Sequence, residues 1–302
     1  MEKIKITFLG TSGSVPQKEK NFASTVISFT GHNLLFDCPE GTQKQLMISD
    51  LSLMKINHVF ISHMHGDHFL GLFGWIATQT LNQRKEKLII YSPSGGKEKI
   101  KKILKETIKP CFEIEFKEIK NGLILKEKSF EVKAFPLKHE IKCFGFVFKE
   151  KDLDGRFDKK KAEKNGIPEG PLYAKLVSGK TININGKKFS KKDVFDFSKK
   201  RIGRKIVVIS DTRPVKESIT HGKNADLMIH ESTHLESQKD RAIESLHSTA
   251  KEAAEIAKKA NVKKLFLFHY SARNKNEKEF EKEAKQVFSN TIAAKDFDTI
   301  EI

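Results

Sequence analysis

Four side chains that can bind metal ions lie within six residues: His63, His65, Asp67 and His68, in the sequence His-Met-His-Gly-Asp-His. They follow the apolar run 56–61, so a strand that ends there would place them together on one loop at the edge of a sheet. Imidazole suits zinc and similar metals, and a catalytic zinc site keeps one coordination position open. Because six residues cannot easily wrap four groups around one ion, Asp67 and His68 are predicted to face a second metal, as in two-metal hydrolytic sites. This spacing favours a metal centre over a polar surface loop.

Three further candidate ligands each follow a strand-like segment. They are His139 after residues 130–135, Asp211 after residues 206–210, and His269 after residues 265–268. One such residue after a strand is common, and the informative feature is the combination of all three with the His-x-His-x-Asp-His motif. Together they resemble the metallo-β-lactamase superfamily.

The resemblance implies two zinc ions, with manganese or magnesium as substitutes. One ion would be held by His63, His65, His139 and Asp211, and the other by Asp67, His68, Asp211 and His269, with Asp211 bridging the two. It also implies the αβ/βα four-layer sandwich, in which two sheets pack face to face with helices outside and the metals at the common edge.

Hydrophobic periodicity predicts two similar α/β halves. The first half has predicted strands at about 4–9, 24–29, 34–38, 56–62 and 87–91, helices at about 40–49, 70–77 and 95–108, and several strands between 112 and 149. The second half has predicted strands at about 205–210, 226–230, 263–268 and 297–302, with helices at about 248–260 and 276–289. Each half is expected to supply one sheet.

Length and composition indicate one domain over residues 1–302, and the resemblance implies that it is of the metallo-β-lactamase type. The chain has 302 residues, 38% of them hydrophobic, and no Gly/Ser/Pro-rich linker divides it. Its start has no signal-peptide pattern, and no apolar stretch approaches the ~18 residues that span a membrane. The three cysteines, Cys38, Cys111 and Cys143, are far apart, which predicts buried reduced thiols rather than zinc ligands. We therefore expect a cytoplasmic protein with no membrane contact.

The charge balance favours an anionic partner. The formal net charge is +17 and the isoelectric point is about 9.6. Between Lys149 and Arg201, 16 Lys and Arg residues stand against eight Asp and Glu residues, so the excess is concentrated there. A solvated, lysine-rich surface remains the alternative explanation.

The segment at about 150–200 does not fit the sandwich plan. Its Gly and Pro content argues against a continuous helix or a central strand, and its position between two core strands predicts an inserted, projecting arm. A tolerated surface insertion is the alternative. An arm with a Gly-Pro motif resembles ribonuclease Z, the family of transfer-RNA 3′-processing endonucleases. The resemblance places the motif at Gly170-Pro171, near Lys175, and implies an exosite that grips the transfer RNA body.

Three other segments resemble the same family. The loop Gly10-Thr11-Ser12-Gly13-Ser14-Val15-Pro16, ending at Lys20-Asn21, is similar to a loop that contacts phosphate near the acceptor end, although the family usually has Arg where Lys20 stands. His230-Glu231-Ser232-Thr233 is similar to a His-Glu-Ala-Thr loop, and His247-Ser248-Thr249 matches a His-Ser-Thr loop. Thr249 and Glu252 have the spacing of a capping box for the helix that follows.

The resemblance implies a metal-dependent endoribonuclease that removes the 3′ trailer from precursor transfer RNA. The products would be a transfer RNA with a 3′-hydroxyl and a trailer with a 5′-phosphate. Asp67 would orient the nucleophile and act as base, and His247, with Glu231 behind it, would protonate the leaving 3′ oxygen. The family also implies a homodimer, and no nucleotide cofactor is expected.

Two other functions remain open at this point. One is a small-molecule phosphodiesterase or other metallohydrolase of the same fold, which would act on short phosphodiesters but not on precursor transfer RNA. The other is a non-catalytic RNA-binding subunit, which would be expected to have lost ligands, whereas all seven positions are filled here.

Overall fold

The computed structural model describes residues 2–302, and its strands and helices alternate along most of the chain. The strands are β1 (Lys5–Gly10), β2 (Ser12–Gly13), β3 (Ser24–Phe29), β4 (His32–Phe36), β5 (Ile56–Phe60), β6 (Leu88–Ser92), β7 (Ile114–Glu118), β8 (Gly122–Lys126), β9 (Phe130–Leu137), β10 (Cys143–Glu150), β11 (Leu153–Phe157), β12 (Ile182–Ile184), β13 (Lys187–Phe189), β14 (Phe195–Arg201), β15 (Lys205–Ile209), β16 (Leu227–Glu231), β17 (Leu265–Phe268), β18 (Tyr270–Ser271), β19 (Thr291–Ala293) and β20 (Thr299–Glu301). The helices are α1 (Thr42–Ile48), α2 (Gly66–Phe69), α3 (Gly71–Leu81), α4 (Gly96–Thr107), α5 (Lys159–Lys164), α6 (Pro171–Val177), α7 (Lys191–Val194), α8 (Lys216–Gly222), α9 (Lys239–Glu244), α10 (Ala250–Lys259) and α11 (Glu277–Lys285).

The chain divides into two compact units. The larger unit comprises residues 1–149 and 205–302, of which Met1 is not described, and the smaller comprises residues 150–204. Most of the predicted strands and helices of the larger unit are present within one to three residues of their expected limits. The short helices α2, α8 and α9 and the short strands β2, β18 and β19 were not predicted.

Two seven-stranded sheets form the larger unit. The first has the order β20-β1-β3-β4-β5-β6-β7 and the second the order β19-β17-β16-β15-β10-β9-β8. Strands β4 to β7 are parallel to one another, as are β15, β16, β17 and β19. The carboxyl ends of parallel strands lie at one edge, and the loops that leave those ends meet there.

Alternating side chains place a core on each face of the first sheet. In β5 and the residue after it, Phe60 packs into a phenylalanine-rich core between the sheets, whereas Val59 and Ile61 pack under the helices. The helical layer over the first sheet includes Trp75 of α3. An alanine-rich face of α10 covers the second sheet. The predicted four-layer α/β sandwich is therefore confirmed.

The expectation that each half of the chain supplies one sheet is wrong at two points. Strands β8, β9 and β10 come from the first half but join the second sheet, and the C-terminal strand β20 pairs with β1 in the first sheet. Hydrophobic periodicity identifies strands but does not indicate which sheet edge a hairpin pairs with. It therefore does not predict which sheet each strand joins.

Cys38 and Cys143 are buried, as expected, but Cys111 is exposed, so the prediction of three buried thiols is wrong at that position. Among the helices of residues 2–302, none combines the length and apolarity needed to cross a membrane.

The 150–204 unit has its own small core and local order. Short strands pair as β11 with β14 and as β12 with β13, and a cluster of buried apolar side chains lies between them and the short helices: Ala162, Ile167, Leu176, Ile182, Phe189, Val194 and Phe195. Asp158 caps α5 by accepting a hydrogen bond from the Lys161 backbone N–H, and Ser190 and Asp193 form a capping box at α7. The sequence predicted no element here, because the apolar residues are sparse among the lysines.

Candidate metal centre and active site

The His63–His68 loop leaves β5 at the edge where the parallel strands end. The Nε2 atom of His63 lies 3.1 Å from Nδ1 of His65, and Nε2 of His139 lies 3.2 Å from the same Nδ1. Ligand nitrogens about 2.0–2.1 Å from a tetrahedral zinc ion are themselves roughly 3.3 Å apart. These three nitrogens therefore have the spacing of a ligand set.

The carboxylate of Asp211 lies between two groups of imidazoles. Its Oδ2 atom is 3.4 Å from His68 Nε2 and 3.8 Å from His63 Nε2, while its Oδ1 atom is 3.2 Å from His269 Nε2. On the far side, Asp67 Oδ2 is 3.6 Å from His68 Nε2 and 4.0 Å from His269 Nε2. The structure thus brings together all seven residues that the sequence singled out, in two overlapping groups that share Asp211.

Two of these imidazoles are held in place by hydrogen bonds at their Nδ1 atoms. His68 Nδ1 is 2.8 Å from Asp37 Oδ2, and His63 Nδ1 is 3.0 Å from Ser62 Oγ. Asp37 also accepts hydrogen bonds from the backbone N–H and the hydroxyl of Ser62, at 2.7 and 2.8 Å. Such partners fix the orientation of each ring and leave Nε2 free to bind a metal ion.

His269 and His139 are oriented in the same manner. His269 Nδ1 is 2.9 Å from the hydroxyl of Thr233, which donates to Glu231 Oε2 at 2.8 Å, and His139 Nδ1 is 3.2 Å from the Leu246 carbonyl. Asp37, Ser62, Thr233 and Leu246 were missed as supporting residues. The one sequence signal was for Asp37, an acid directly after the run that forms β4.

The donor set fits metal ions. The Nε2 atoms of His68 and His269 are buried, and within residues 2–302 neither has a hydrogen-bond partner. Burial lowers the pKa of His63, His139 and His269, which keeps their imidazoles neutral and able to bind a cation. Burial would raise the pKa of Asp211, but the imidazoles of His269 and His68 hold it well below the usual range.

His68 is the exception among the imidazoles. Burial disfavours its protonated form, yet the charges of Asp211 and Asp37 raise its pKa well above the usual value. A proton on His68 would offset the negative charge of Asp211, as a bound metal ion would. Protons and metal ions therefore compete for this site.

Glu231 and His247 form a buried pair beside the metal ligands. His247 Nδ1 is 3.1 Å from Glu231 Oε1, and Glu231 also accepts hydrogen bonds from the backbone N–H groups of Thr212, Thr233 and Ser248 at 2.9 to 3.0 Å. Burial opposes charge on both partners. Their attraction nevertheless lowers the pKa of Glu231 to about 2 and raises the pKa of His247 to about 9.

The backbone around His247 is held firmly. The predicted capping box is confirmed. The Thr249 hydroxyl accepts a hydrogen bond from the Glu252 backbone N–H, and the Glu252 carboxylate accepts one from the Thr249 backbone N–H. Arg213 donates to the His247 carbonyl and to the Glu252 carboxylate. The position of the imidazole is therefore set from both sides.

The sheet edge that carries the seven candidate ligands is called the metal edge below. The N-terminal loop 10–16 reaches it. The Ser14 backbone N–H donates to Asp67 Oδ2 at 3.1 Å, and β2 pairs with β18 just beyond His269. A Cβ atom at Gly13 would lie 2.5 Å from His269 Nδ1, so glycine is required there.

The predicted RNA contacts at the end of this loop have protein partners. Lys20 Nζ lies 2.7 Å from Glu277 Oε2 and is largely buried, and the Asn21 side chain donates to the Glu40 carbonyl at 3.0 Å. Contact of Lys20 and Asn21 with RNA stays a prediction. The ion pair with Glu277 neutralises most of the positive charge that Lys20 would present to a phosphate.

A cleft of about 590 Å³ opens beside His247. Its walls include the loop residues 13–15 and the guanidinium-bearing residues Arg241 and Arg273. Neither arginine was predicted from the sequence, because single arginines outside a motif carry no local signal. Two arginines in a cleft next to a general-acid candidate are suited to phosphate groups.

The predicted RNA-binding residues of the 150–204 unit cluster on α6. Gly170 precedes the helix with φ of 146°, Pro171 occupies its first turn, and Lys175 is exposed in its last turn. Proline suits the first turn of a helix because its missing N–H is not needed there. The motif is therefore a helix start that presents basic residues.

Fold and site together define a hydrolase of the metallo-β-lactamase fold. The metallo-β-lactamase fold protein YhfI from Bacillus subtilis aligns over all of both chains with a TM-score of 0.72, at 20% identity. The human tRNase Z, short form, aligns over 98% of both chains with a TM-score of 0.71, at 28% identity.

Sequence relatives narrow this class. Ribonuclease Z of Archaeoglobus fulgidus is 45% identical over 99% of this chain and 97% of that protein, and ribonuclease Z of Pyrococcus horikoshii is 41% identical over 99% and 96%. A family model described as the anti-Pycsar protein Apyc1 matches residues 4–164, slightly more than half of the chain. The chain belongs to the ribonuclease Z family and also to the family that this model describes, and the predicted recognition is confirmed.

Proposed function

We propose that this protein is a metal-dependent endoribonuclease that cleaves the 3′ trailer from precursor transfer RNA. Membership of the ribonuclease Z family carries the proposal, and the seven converging ligand residues support it because they retain the chemistry that a catalytic member needs. The products are a transfer RNA with a 3′-hydroxyl and a trailer with a 5′-phosphate.

Two zinc ions are proposed for the site. His63, His65, His139 and Asp211 would hold one, and Asp67, His68, Asp211 and His269 the other, in keeping with the distances between their donor atoms. When bound, such ions make water a better nucleophile near neutral pH and offset the charge that builds on the scissile phosphate.

Asp67 and His247 are proposed to handle the protons. The Asp67 carboxylate accepts a hydrogen bond from the Ser14 N–H through Oδ2, which fixes its orientation as the base that receives the nucleophile's proton. Glu231 holds His247 in its protonated form, and His247 Nδ1 lies 3.9 Å from Oδ2 of the ligand residue Asp211. His247 is therefore beside the proposed metal ions, where it can deliver a proton to the departing 3′ oxygen. Glu231, fully buried and acting through His247, is a positioning residue.

Substrate binding is proposed to use both units. Arg241 and Arg273 would bind phosphates that enter the cleft beside His247. The lysines of the 150–204 unit, including Lys175 after Gly170-Pro171, would bind the phosphates of the transfer RNA body, which an A-form stem presents by shape rather than by sequence. The homodimer and the cytoplasmic location stay predictions.

The test is to incubate the purified protein with a precursor transfer RNA that carries a 3′ trailer and to map the cut. We expect one cut at the 3′ end of the transfer RNA body, with a 3′-hydroxyl on the transfer RNA. The Asp211→Ala variant, purified in parallel, controls for contaminating nucleases and should leave the RNA intact. Turnover of a small phosphodiester without any cut in the precursor would refute the proposed substrate and favour the small-molecule phosphodiesterase.

A further inference from the structure

A second group of metal-binding side chains lies away from the active site, at the other end of the sandwich. His32 begins β4, His58 is in β5, and Glu127 lies in the turn between β8 and β9. One donor atom from each of the three lies within 4.8 Å of the others. Five residues at about 3.3 Å each separate His58 from His63, roughly 16 Å along the chain, so the group is distinct from the active site.

Strand register places the two imidazoles on the same inner face of the first sheet. His58 pairs with Leu34, and His32 is two residues before Leu34, so both side chains point to the side on which Leu34 packs between the sheets. Their ring centroids are 6.3 Å apart. The Glu127 backbone N–H donates to the Phe130 carbonyl at 2.9 Å, which ties the turn to β9 of the second sheet. The three side chains therefore come from both sheets.

Buried polar atoms at this place lack partners. His58 is 7% exposed, and neither its Nδ1 atom nor the hydroxyl of Tyr91 has a hydrogen-bond partner among residues 2–302. The Tyr91 ring stacks on the His58 ring with the two centroids 6.1 Å apart. Buried polar groups in folded proteins almost always have partners, so the unpaired Nδ1 atom of His58 points to a bound species.

The charges around the group suit a cation. Burial and the neighbouring His32 lower the pKa of His58 to about 4, so its imidazole is neutral near pH 7 and can donate a lone pair. Glu127 supplies a negative charge. Lys117, whose charge contributes to the lowered pKa of His58, already has an acidic neighbour in Glu115 at 3.5 Å.

We propose that His32, His58 and Glu127 form a structural site for a divalent transition metal, of the zinc type, that joins the two sheets. Two imidazoles and one carboxylate match zinc, nickel, cobalt or copper, whereas magnesium and calcium prefer oxygen ligands alone. Donor atoms around a tetrahedral zinc ion are roughly 3.3 Å apart, so donor atoms up to 4.8 Å apart must approach by at most about 1.5 Å to form a ligand set. Glu127 is half-buried on a turn, which permits such a movement.

The test counts metal ions on the full-length chain. Protein stripped with a chelator is reloaded with Zn²⁺, passed over a desalting column and analysed by mass spectrometry for zinc per chain. The Glu127→Gln and His32→Gln variants should each bind one zinc ion fewer than the unchanged chain. The matched control is Glu131→Gln, which removes a carboxylate of the same hairpin that pairs with Lys133 at 3.0 Å and should retain the full count.

Two further measurements separate this site from the active site. Zn²⁺ should raise the Tm of the unchanged chain more than that of Glu127→Gln, whereas Mg²⁺ should not distinguish them, because only a metal bound to the folded state at this site adds stability. Turnover of a small phosphodiester should be the same in Glu127→Gln as in the unchanged chain. Equal zinc counts in the unchanged chain, Glu127→Gln and His32→Gln would overturn the proposal and leave a bound water as the partner of His58.

Discussion

The metal edge and the 150–204 unit differ in how their residues are held. At the metal edge most functional side chains are buried and are oriented by defined partners, as Glu231 shows with its backbone donors and its bond to His247. In the 150–204 unit the lysines are mostly exposed, and a small apolar core supports only the backbone. Chemistry at a bond requires fixed geometry, whereas contact with phosphates requires charge at a suitable distance.

The strongest test of the metal edge is Asp211→Ala. Because one carboxylate faces both ligand groups, we expect its removal to disturb both ions and to bring cleavage of both RNA and small phosphodiesters to the detection limit. Metal counting on the purified variant checks this, with His139→Ala as a comparison that should weaken mainly one ion. Two tightly bound ions in Asp211→Ala would contradict the bridging assignment.

The next effect concerns the leaving group. His247→Ala should lower kcat for RNA by roughly 10²–10⁴-fold with metal content unchanged, as expected for loss of a general acid. A substrate with an acidic phenol leaving group needs little protonation and should be affected much less. Because the pKa of His247 is raised to about 9, the acid is lost as pH rises through that value, so kcat should fall there in the unchanged protein. An equal loss on both substrates would exclude His247 as the acid.

A smaller effect is expected at the supporting residues. Asp37→Ala removes the hydrogen bond that orients His68 and the two that Asp37 accepts from Ser62, and residues in this role typically contribute 10–100-fold to metal affinity or activity. Metal affinity measured by competition with a chelator should fall within that range. An affinity equal to that of the unchanged protein would show that packing alone holds the His68 ring.

The smallest effect is expected for one lysine of the 150–204 unit. Lys175→Ala should weaken RNA binding about equally for all precursors and reduce the slope of log affinity against log salt by about one. Lys102→Ala, which removes an exposed lysine of α4 in the larger unit, serves as the control and should leave the slope unchanged. A change in sequence preference at constant slope would mean that Lys175 reads bases.

The sequence predicted the metal edge well because its residues follow strands. A ligand directly after a parallel strand is placed by the strand itself, and this is why His63, Asp211 and His269 were found at the correct edge. Asp37 and Thr233 were missed because their roles depend on which ring they face, which is a property of tertiary packing. No pattern in the sequence links His32 to His58, for the same reason: their proximity follows from register between strands, not from spacing along the chain.

The 150–204 segment was predicted by its charge but not by its structure. Lysine-rich composition predicted contact with an anionic partner, yet it concealed the seven apolar residues that build a core. Those residues are separated by turns, so neither a helical nor a strand period accumulates over a sufficient length. The predicted assignment of strands to sheets was wrong for a similar reason. Contacts between distant segments determine the sheet that β8, β9 and β10 join.

We propose that the metal edge performs the chemistry and that the 150–204 unit supplies RNA affinity. Within the larger unit, Lys149 pairs with Lys205 in the β10–β15 ladder, so a two-residue Asn-Gly turn can replace residues 151–203 between Glu150 and Arg204. The measurement is a salt titration of precursor transfer RNA affinity for the intact and shortened proteins, alongside turnover of a small phosphodiester.

The shortened protein should keep its metal content and its small-substrate turnover. Its RNA affinity should fall on the order of tenfold or more, with a shallower dependence on salt, because the phosphate contacts of the lysines are lost. RNA affinity and salt slope equal to those of the intact protein would contradict the claim and make the 150–204 unit a passive insertion.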